Sequence, residues 1–252
     1  MAVNEVRSVM TALRILDAIA AEEPVGVSEL ARLLALPKSS VQRILHTLHS
    51  AGWIQPVGVE VTRWGLTTHM LRLGRAAGSE LTLRDVAIPV MEELRTQTQE
   101  TVHLAVAEQD NVICIERLDS PQAVRTFVPL GKAVPIAASA NGKAILASYS
   151  PEKLEATLGG GLRAYTQTTV IDRDELIAQL EDVRRNGYAT NQEEWRSGIA
   201  AVAAMIPTPE GRAVAGISIS TPVQRMNRTL QREYGELVKA AAKRIGEGLG
   251  VG

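Results

Sequence analysis

Apolar residues in the first fifty positions recur at helical spacing in three separate runs. Val6, Val9, Met10, Leu13, Leu16 and Ala20 fall at i, i+3, i+4 and i+7 and predict an amphipathic helix with these residues as its buried stripe. It stops near Glu22-Glu23-Pro24, because proline disfavours helical geometry in the residue before it. Ser28 is placed as the N-cap of a short helix, Glu29 to about Leu34, which Ala35-Leu36-Pro37 breaks. A third helix runs from Lys38 or Ser39 to Ser50 and ends at Ala51-Gly52. Val41, Ile44, Leu45 and Leu48 give it an apolar face. The opposite face, Ser39, Gln42, Arg43 and His46, is wholly polar at the same spacing.

Two short helices joined by a tight turn predict a helix-turn-helix, and Ala31 is small where the two axes must approach. On the polar face Arg43 offers a bidentate fork to guanine and Gln42 can do the same for adenine, while Ser39 and His46 can reach phosphates or base edges. A plain structural account also exists, since Ser39 with Gln42 makes a capping box and any surface helix has a polar face. The next segment favours DNA. Trp53-Ile54-Gln55 reads as a strand, Pro56-Val57-Gly58 as a turn, and Val59–Leu66 as a returning strand carrying Arg63 near its middle. A hairpin after a helix-turn-helix is a wing, and Arg63 is placed to touch phosphate or the minor groove. The candidate DNA contacts are therefore Lys38, Ser39, Ser40, Gln42, Arg43, His46 and Arg63.

Thr68–Ala77 is apolar at Met70, Leu71 and Leu73 and ends at Gly78; Leu83–Gln99 follows as a longer helix in which Pro89 forms a kink or belongs to the first turn. From Thr101 the period changes to that of strands. Thr101–Glu108 and Asn111–Leu118 flank the hairpin signal Gln109-Asp110. Asn141–Ser148 opens as a helix after Ser139-Ala140, Asp172–Arg185 is a capped helix with Gly187 beyond it, Gly198–Ile206 and Ala213–Ser220 are strands, and Gln224 to about Gly246 is a final amphipathic helix. Strands in antiparallel hairpins interleaved with helices predict an α+β sensor-like domain.

Composition narrows the class. At 252 residues, 45% hydrophobic and 22% charged, the chain reads as one or two soluble globular domains. No uncharged run, Ser197–Pro209 included, reaches the about 20 residues of a membrane span, and the charged first thirty residues hold no apolar signal core. With Cys114 as the one cysteine, no internal disulfide can form, so a cytoplasmic protein without a membrane partner is expected. Aromatics at 3% argue against single-strand stacking, and a net charge of −1 argues against indiscriminate coating of DNA. That total hides an asymmetry: Leu30 to Val59 holds Arg32, Lys38 and Arg43 and no carboxylate.

Catalytic patterns are weak. Gly142-Lys143 lacks the remainder of a phosphate loop, Gly159-Gly160-Gly161 lacks dinucleotide spacing, and His46 with His49 has no further ligand for a metal. His103, Cys114 and Glu116 can be drawn as a nucleophile set, yet Cys114 in an apolar run reads as a small buried residue and His103 as a satisfied edge group. No cofactor, metal site or catalytic residue is assigned. Binding features read better. The helix after Ser139-Ala140 presents free N–H groups to a small carboxylate or amide. Ser218 and Ser220, two apart in a strand, point to one face while Ile217 and Ile219 point to the other.

Val27–Leu48 resembles the winged helix-turn-helix of IclR-type transcriptional regulators. The likeness continues through Gly65-Leu66, Leu73-Gly74, Glu100–Ala105, Ser139–Ala147, Gly187-Tyr188-Ala189, Glu193-Glu194, Gly198-Ile199 and Gly216–Ser220, in order over nearly the whole chain. The resemblance implies a homodimer, often paired into a tetramer, that binds double-stranded operator DNA and takes a small effector in its C-terminal domain. It places that effector on amides matching Ser139 and Ala140, with polar contacts matching Asn191, Ser218 and Ser220. Relatives that bind small carboxylates can carry an acid at the position of Asn191 and a polar side chain at that of Ala201. Those departures point to a less charged or bulkier effector among small carboxylates, amides and aromatic acids. Ala35 stands where glycine is commonest in the helix-turn-helix.

The expected fold is thus α+β: a winged helix-turn-helix over residues 1–68, a linker helix over 69–84, and a GAF-like α+β effector-binding and oligomerisation domain over 85–252. The expected function is effector-tuned repression of neighbouring catabolic genes, without enzymatic activity. Two other classes remain: a small-molecule hydrolase using Cys114 and His103, with the N-terminal module serving dimerisation, and a scaffold that binds no ligand. The acid-free stretch from Leu30 to Val59 favours the regulator.

Overall fold

Three helices, α1 (Arg7–Glu22), α2 (Val27–Leu33) and α3 (Lys38–Ser50), make the framework of the N-terminal unit, Met1–Gly78, in this computed structural model. The structure describes residues 5–22, 24–58, 62–76, 79–207 and 215–250. Of the expected α1 stripe only Leu16 is buried, and Ala20 is exposed. Ile15, Leu16, Ala18 and Ile19 are buried, whereas Val6, Val9, Met10 and Leu13 are exposed, because α2, α3 and the small sheet cover only the C-terminal half of the helix. Ser28 is not a cap. Gly26 precedes α2, and the Glu29 carboxylate accepts its N–H at 3.0 Å, which is the chief reason the Glu29 pKa lies below its ordinary value. Nor do Ser39 and Gln42 form a capping box, since Pro37 occupies the N-cap of α3, where its missing N–H costs nothing.

The turn between α2 and α3 explains the unusual residue in it. Leu36 N–H reaches Ala31 O at 2.9 Å and Ala35 N–H reaches Arg32 O at 3.3 Å, the pair of bonds that closes a helix through a left-handed residue. Ala35 is that residue, at φ 54°, where glycine carries no Cβ penalty and alanine costs about 1 kcal/mol. The wing strands β2 (Ile54–Val57) and β3 (Arg63–Leu66) pair antiparallel, with Ile54 opposite Leu66 and Val57 opposite Arg63. Residues 59–61, part of the expected returning strand, lie outside the described residues. A short strand unseen in the sequence, β1 (Val25–Gly26), adds to β3, giving the order β1-β3-β2. Pro56 is accommodated because β2 is an edge strand. The helix α4 (His69–Ala76) follows.

The second unit, Ser79–Gly252, opens with α5 (Ser79–Thr98), which starts before the expected Leu83, runs through residue 84 and carries Pro89 in its interior. Its sheet is wholly antiparallel, in the order β6 (Ala133–Pro135), β5 (Asn111–Leu118), β4 (Thr101–Glu108), β9 (Ala215–Pro222), β8 (Ile199–Ile206), β7 (Ala189–Gln192). The strand expected from Ala213 is seen from Ala215, residues 208–214 being outside the described set. The terminal helix α9 (Arg228–Gly248) begins later than expected, at an Asn227 cap, after a short 3-10 turn at Val223–Arg225. Period-2 alternation assigns each strand residue to a face. Val102, Leu104, Val202, Ala204, Ile217 and Ile219 pack with α5 and α9. On the other face Ala105, Val112, Val134 and Ala203 pack with α6 (Ala140–Leu146), α7 (Pro151–Leu158) and α8 (Arg173–Asn186). No helix among the described residues is long and apolar enough to cross a membrane.

Gly142 shows how tightly α6 is docked: a Cβ there would lie 1.9 Å from the Ile136 carbonyl oxygen. Only glycine allows this approach, and it holds the start of α6, with Ala140 and Asn141, against the segment that follows β6, beside the cavity those two residues line.

Candidate functional site

On α3, Lys38, Ser39, Gln42, Arg43 and His46 are all exposed, and Ser40 is half-buried. Val41, Leu45 and Leu48 are buried on the reverse side. Neither Lys38 nor Arg43 has an ion-pair partner among the described residues, so both cations are available to an external anion. Arg63 is different. Its Nε donates to Pro24 O at 2.8 Å and its Nη2 pairs with Glu29 Oε2 at 2.8 Å, tying the wing to the start of α2. The exposed Thr47, one turn beyond Arg43, adjoins this face and was not singled out from the sequence.

In the second unit the residues singled out in the sequence converge. Ser139, Ala140, Asn191, Ala201, Ser218 and Ser220 all line one cavity of about 640 Å³, counting its open mouth. Strand register explains why. His103 lies opposite Ser218, which lies opposite Ala203. In the next row Thr101, Ser220, Ala201 and Asn191 succeed one another across β4, β9, β8 and β7. A bulge between Leu104 and Ala105 shifts β5 so that Cys114 is opposite Ala105, and both reach the cavity wall.

The polar floor is already knit together. Asn141 Nδ2 donates to Ser218 Oγ at 3.0 Å, Thr126 Oγ1 to Ser220 Oγ at 2.9 Å, and Asn191 Nδ2 to Ala138 O at 2.7 Å. Asn141 Oδ1 is buried without a partner. Ser139 caps α6 by accepting Gly142 N–H at 3.1 Å, and its carbonyl takes Lys143 N–H, so two of the first four amides of this short helix are engaged. Sequence reasoning missed Thr126, Phe127, Trp195 and Arg196, which line the cavity from loops without periodicity.

A catalytic pairing of His103 with Cys114 finds no support. His103 lies in a central strand, not an edge, and its Nε2 accepts Val128 N–H at 3.1 Å. Burial, with the Arg117 charge adding to it and Asp119 opposing, holds its pKa down to about 4. The Cys114 thiol donates to carbonyl oxygens of Glu116 and Val128, and burial pushes its pKa up to about 11, far from a thiolate nucleophile. No group of metal-ligating side chains occurs among the described residues.

Comparison with known proteins decides the assignment. The model of the IclR helix-turn-helix domain matches residues 8–58, and that of the bacterial transcriptional regulator IclR C-terminal domain matches residues 75–247. The chain belongs to the IclR family of transcriptional regulators. The transcriptional repressor IclR of Escherichia coli strain K12 is 32% identical to this regulator over 248 residues, covering 97% of this chain and 90% of that protein. The regulator KdgR of Dickeya chrysanthemi is 31% identical, over 98% of this chain and 81% of its own length. Among solved structures, an IclR homologue of Microbacterium hydrocarbonoxydans in complex with 4-hydroxybenzoate superposes with a TM-score of 0.82 at 26% identity, over 97% of this chain and all of that one. The Thermotoga maritima IclR gives 0.76 at 27%, over 98% and 100%. This regulator is accordingly a helix-turn-helix DNA-binding protein with the effector-binding C-terminal domain of its family.

Proposed function

We propose that this regulator is a cytoplasmic repressor, acting as a dimer or tetramer, whose hold on its operator is set by a small ring-bearing organic acid in the cavity of the second unit, and which acts by binding rather than turnover. The cavity carries the reading. Its walls are mainly apolar, with Val112, Val134, Phe127, Trp195 and Ile199 around a floor of uncharged polar groups, the composition of a small-molecule site. The homologue solved with 4-hydroxybenzoate supports an aromatic acid within the broader class of carboxylates and amides. The amides of Ser139 and Ala140 and the side chains of Asn191, Ser218 and Ser220 serve as polar contacts, and Ala201 leaves room for a ring.

On the DNA side, Gln42, Arg43 and His46 read base edges, while Lys38, Ser39 and Ser40 meet phosphates. Arg63 reaches a phosphate from the wing by exchanging it for Glu29. One winged module buries only about 600–1,000 Å² on DNA, so two modules on two similar half-sites are needed for a tight complex.

The test begins with an operator selected from random duplexes by the full-length protein. Arg43→Ala is expected to lose about 1–3 kcal/mol on that operator and to relax the preference at one base position. Lys38→Ala is expected to weaken all duplexes alike and to lower the salt slope by about one unit. Operator binding by Arg43→Ala as tight as that of the wild type would remove the assigned face. For the cavity, 4-hydroxybenzoate at a hundred times its dissociation constant should add about 2.7 kcal/mol of stability.

A further inference from the structure

The cavity has a charge pattern that the effector class alone does not explain. Among the described residues lining it, Arg196 is the one with a formal charge. His103 also faces it, but is held neutral. Arg196 stands exposed on the loop between β7 and β8, its guanidinium over the Trp195 ring at 4.1 Å from the centroid. It has no ion pair among the described residues. Both acids beside it in sequence are engaged elsewhere: Glu193 accepts Gly198 N–H at 2.6 Å, and Glu194 pairs with Lys143 at 2.5 Å.

The loop is also fixed in advance. Glu193, at φ 62°, sends its N–H to Ile199 O, the Glu194 carbonyl accepts the hydroxyls of Thr166 and Thr169, and Gly198 O takes Val223 N–H. Trp195 and Arg196 are therefore presented to the cavity by a braced turn, so little side-chain or loop ordering remains to be done on binding. The floor has the opposite character. Its polar groups (Asn141, Asn191, Ser218, Ser220 and Thr126) are all uncharged, and a carboxylate buried among them would lack a cation and lose several kcal/mol of solvation.

We propose that Arg196 selects the effector's charge: it pairs with the carboxylate of a ring-bearing monoacid at the cavity mouth, while an uncharged hydroxyl at the far end of the ring meets Ser218 and Ser220. This rests on the aromatic-acid reading of the cavity and adds orientation and a specificity residue to it. Trp195 and Phe127 flank the ring, and the guanidinium stacked on Trp195 keeps its N–H edge free for a bidentate contact with the acid.

Calorimetric titration of the full-length protein with 4-hydroxybenzoate, its uncharged analogue 4-hydroxybenzamide, and benzoate tests this. Wild type is expected to prefer 4-hydroxybenzoate to the benzamide. Arg196→Gln should weaken 4-hydroxybenzoate by about ten- to a hundredfold and the benzamide by less than about twofold, and Arg196→Lys should restore part of the difference. Ser218→Ala with Ser220→Ala should weaken 4-hydroxybenzoate but not benzoate, which lacks the inner hydroxyl. If Arg196→Gln weakens acid and amide equally, or neither, the role of Arg196 is overturned while the aromatic-acid reading stands. If the serine variant weakens benzoate as much as 4-hydroxybenzoate, the orientation is overturned. If none of the three binds wild type, the aromatic-acid reading falls, and the inference with it.

Discussion

Replacing Lys143 by methionine is expected to destabilise the C-terminal unit by about 3–5 kcal/mol, because it strands a buried carboxylate. Lys143 and Glu194 are almost fully enclosed, with side-chain exposures of 2% and 9%. The ammonium bonds Glu194 Oε1 at 2.5 Å and Gln179 Oε1 at 3.0 Å, while Glu194 Oε2 has no partner. Burial holds the Lys143 pKa below its ordinary value, with Glu194 and, less strongly, Glu175 opposing that shift. At about 2–4 °C per kcal/mol for a unit of this size, the melting temperature should fall by on the order of 10 °C. Lys143→Met combined with Glu194→Gln should recover much of the loss, because replacing both charges of a buried pair is far cheaper than removing one. Thermal melting of both variants checks this, and a single variant as stable as the wild type would show that the pair is not needed. The pair also anchors the loop that carries Trp195 and Arg196, so its loss should weaken ligand binding as well.

Acid should destabilise the same unit through His103, by about 3 kcal/mol between pH 6.5 and 4. The folded pKa is depressed to about 4 from an ordinary 6.5. Over that interval the unfolded chain takes up a proton that the folded one refuses, so the stability contributed by neutral His103 is complete above 6.5 and lost as pH falls toward 4. Protonation must also displace the Val128 N–H from Nε2, loosening the segment Thr126–Val128 at the cavity. His103→Gln keeps an acceptor for that N–H and does not titrate. Urea unfolding of the two proteins from pH 7 to 4 should show the wild type losing ground to the variant by about this amount. A difference independent of pH would contradict it.

The legible parts of this protein are those in which one physical signal dominates. The polar and apolar faces of α3 could be read because thirteen residues of unbroken helix carry a clean period. Ser218 and Ser220 could be placed on the cavity side because strand alternation leaves Ile217 and Ile219 to the core. Asn191 and Ala201 came from family resemblance alone, and β7–β8 pairing sets them side by side. The failures have equally definite causes. β1 is two residues long and exists only through its pairing with β3. α1 has apolar residues around more than one face, so the period could not say which stripe is buried. Ser28 looked like a cap by residue type, yet the Glu29 carboxylate, reaching back to Gly26, set the helix start. Arg196, Trp195 and Phe127 sit on loops where spacing carries no information, and only the folded chain brings them to the cavity.

In the proposed division of work, α3 supplies a cationic face without ion-pair partners among the described residues, and the sheet of the second unit supplies a lined cavity. The central claim is that the two are thermodynamically linked. Its most direct measurement is a closed cycle on one preparation of full-length protein: operator affinity with and without saturating 4-hydroxybenzoate, and 4-hydroxybenzoate affinity with and without saturating operator. Linkage requires the same factor in both directions, and a tenfold change corresponds to about 1.4 kcal/mol of coupling. The account predicts equal factors clearly different from one. Tight binding of the acid that leaves operator affinity unchanged would contradict it.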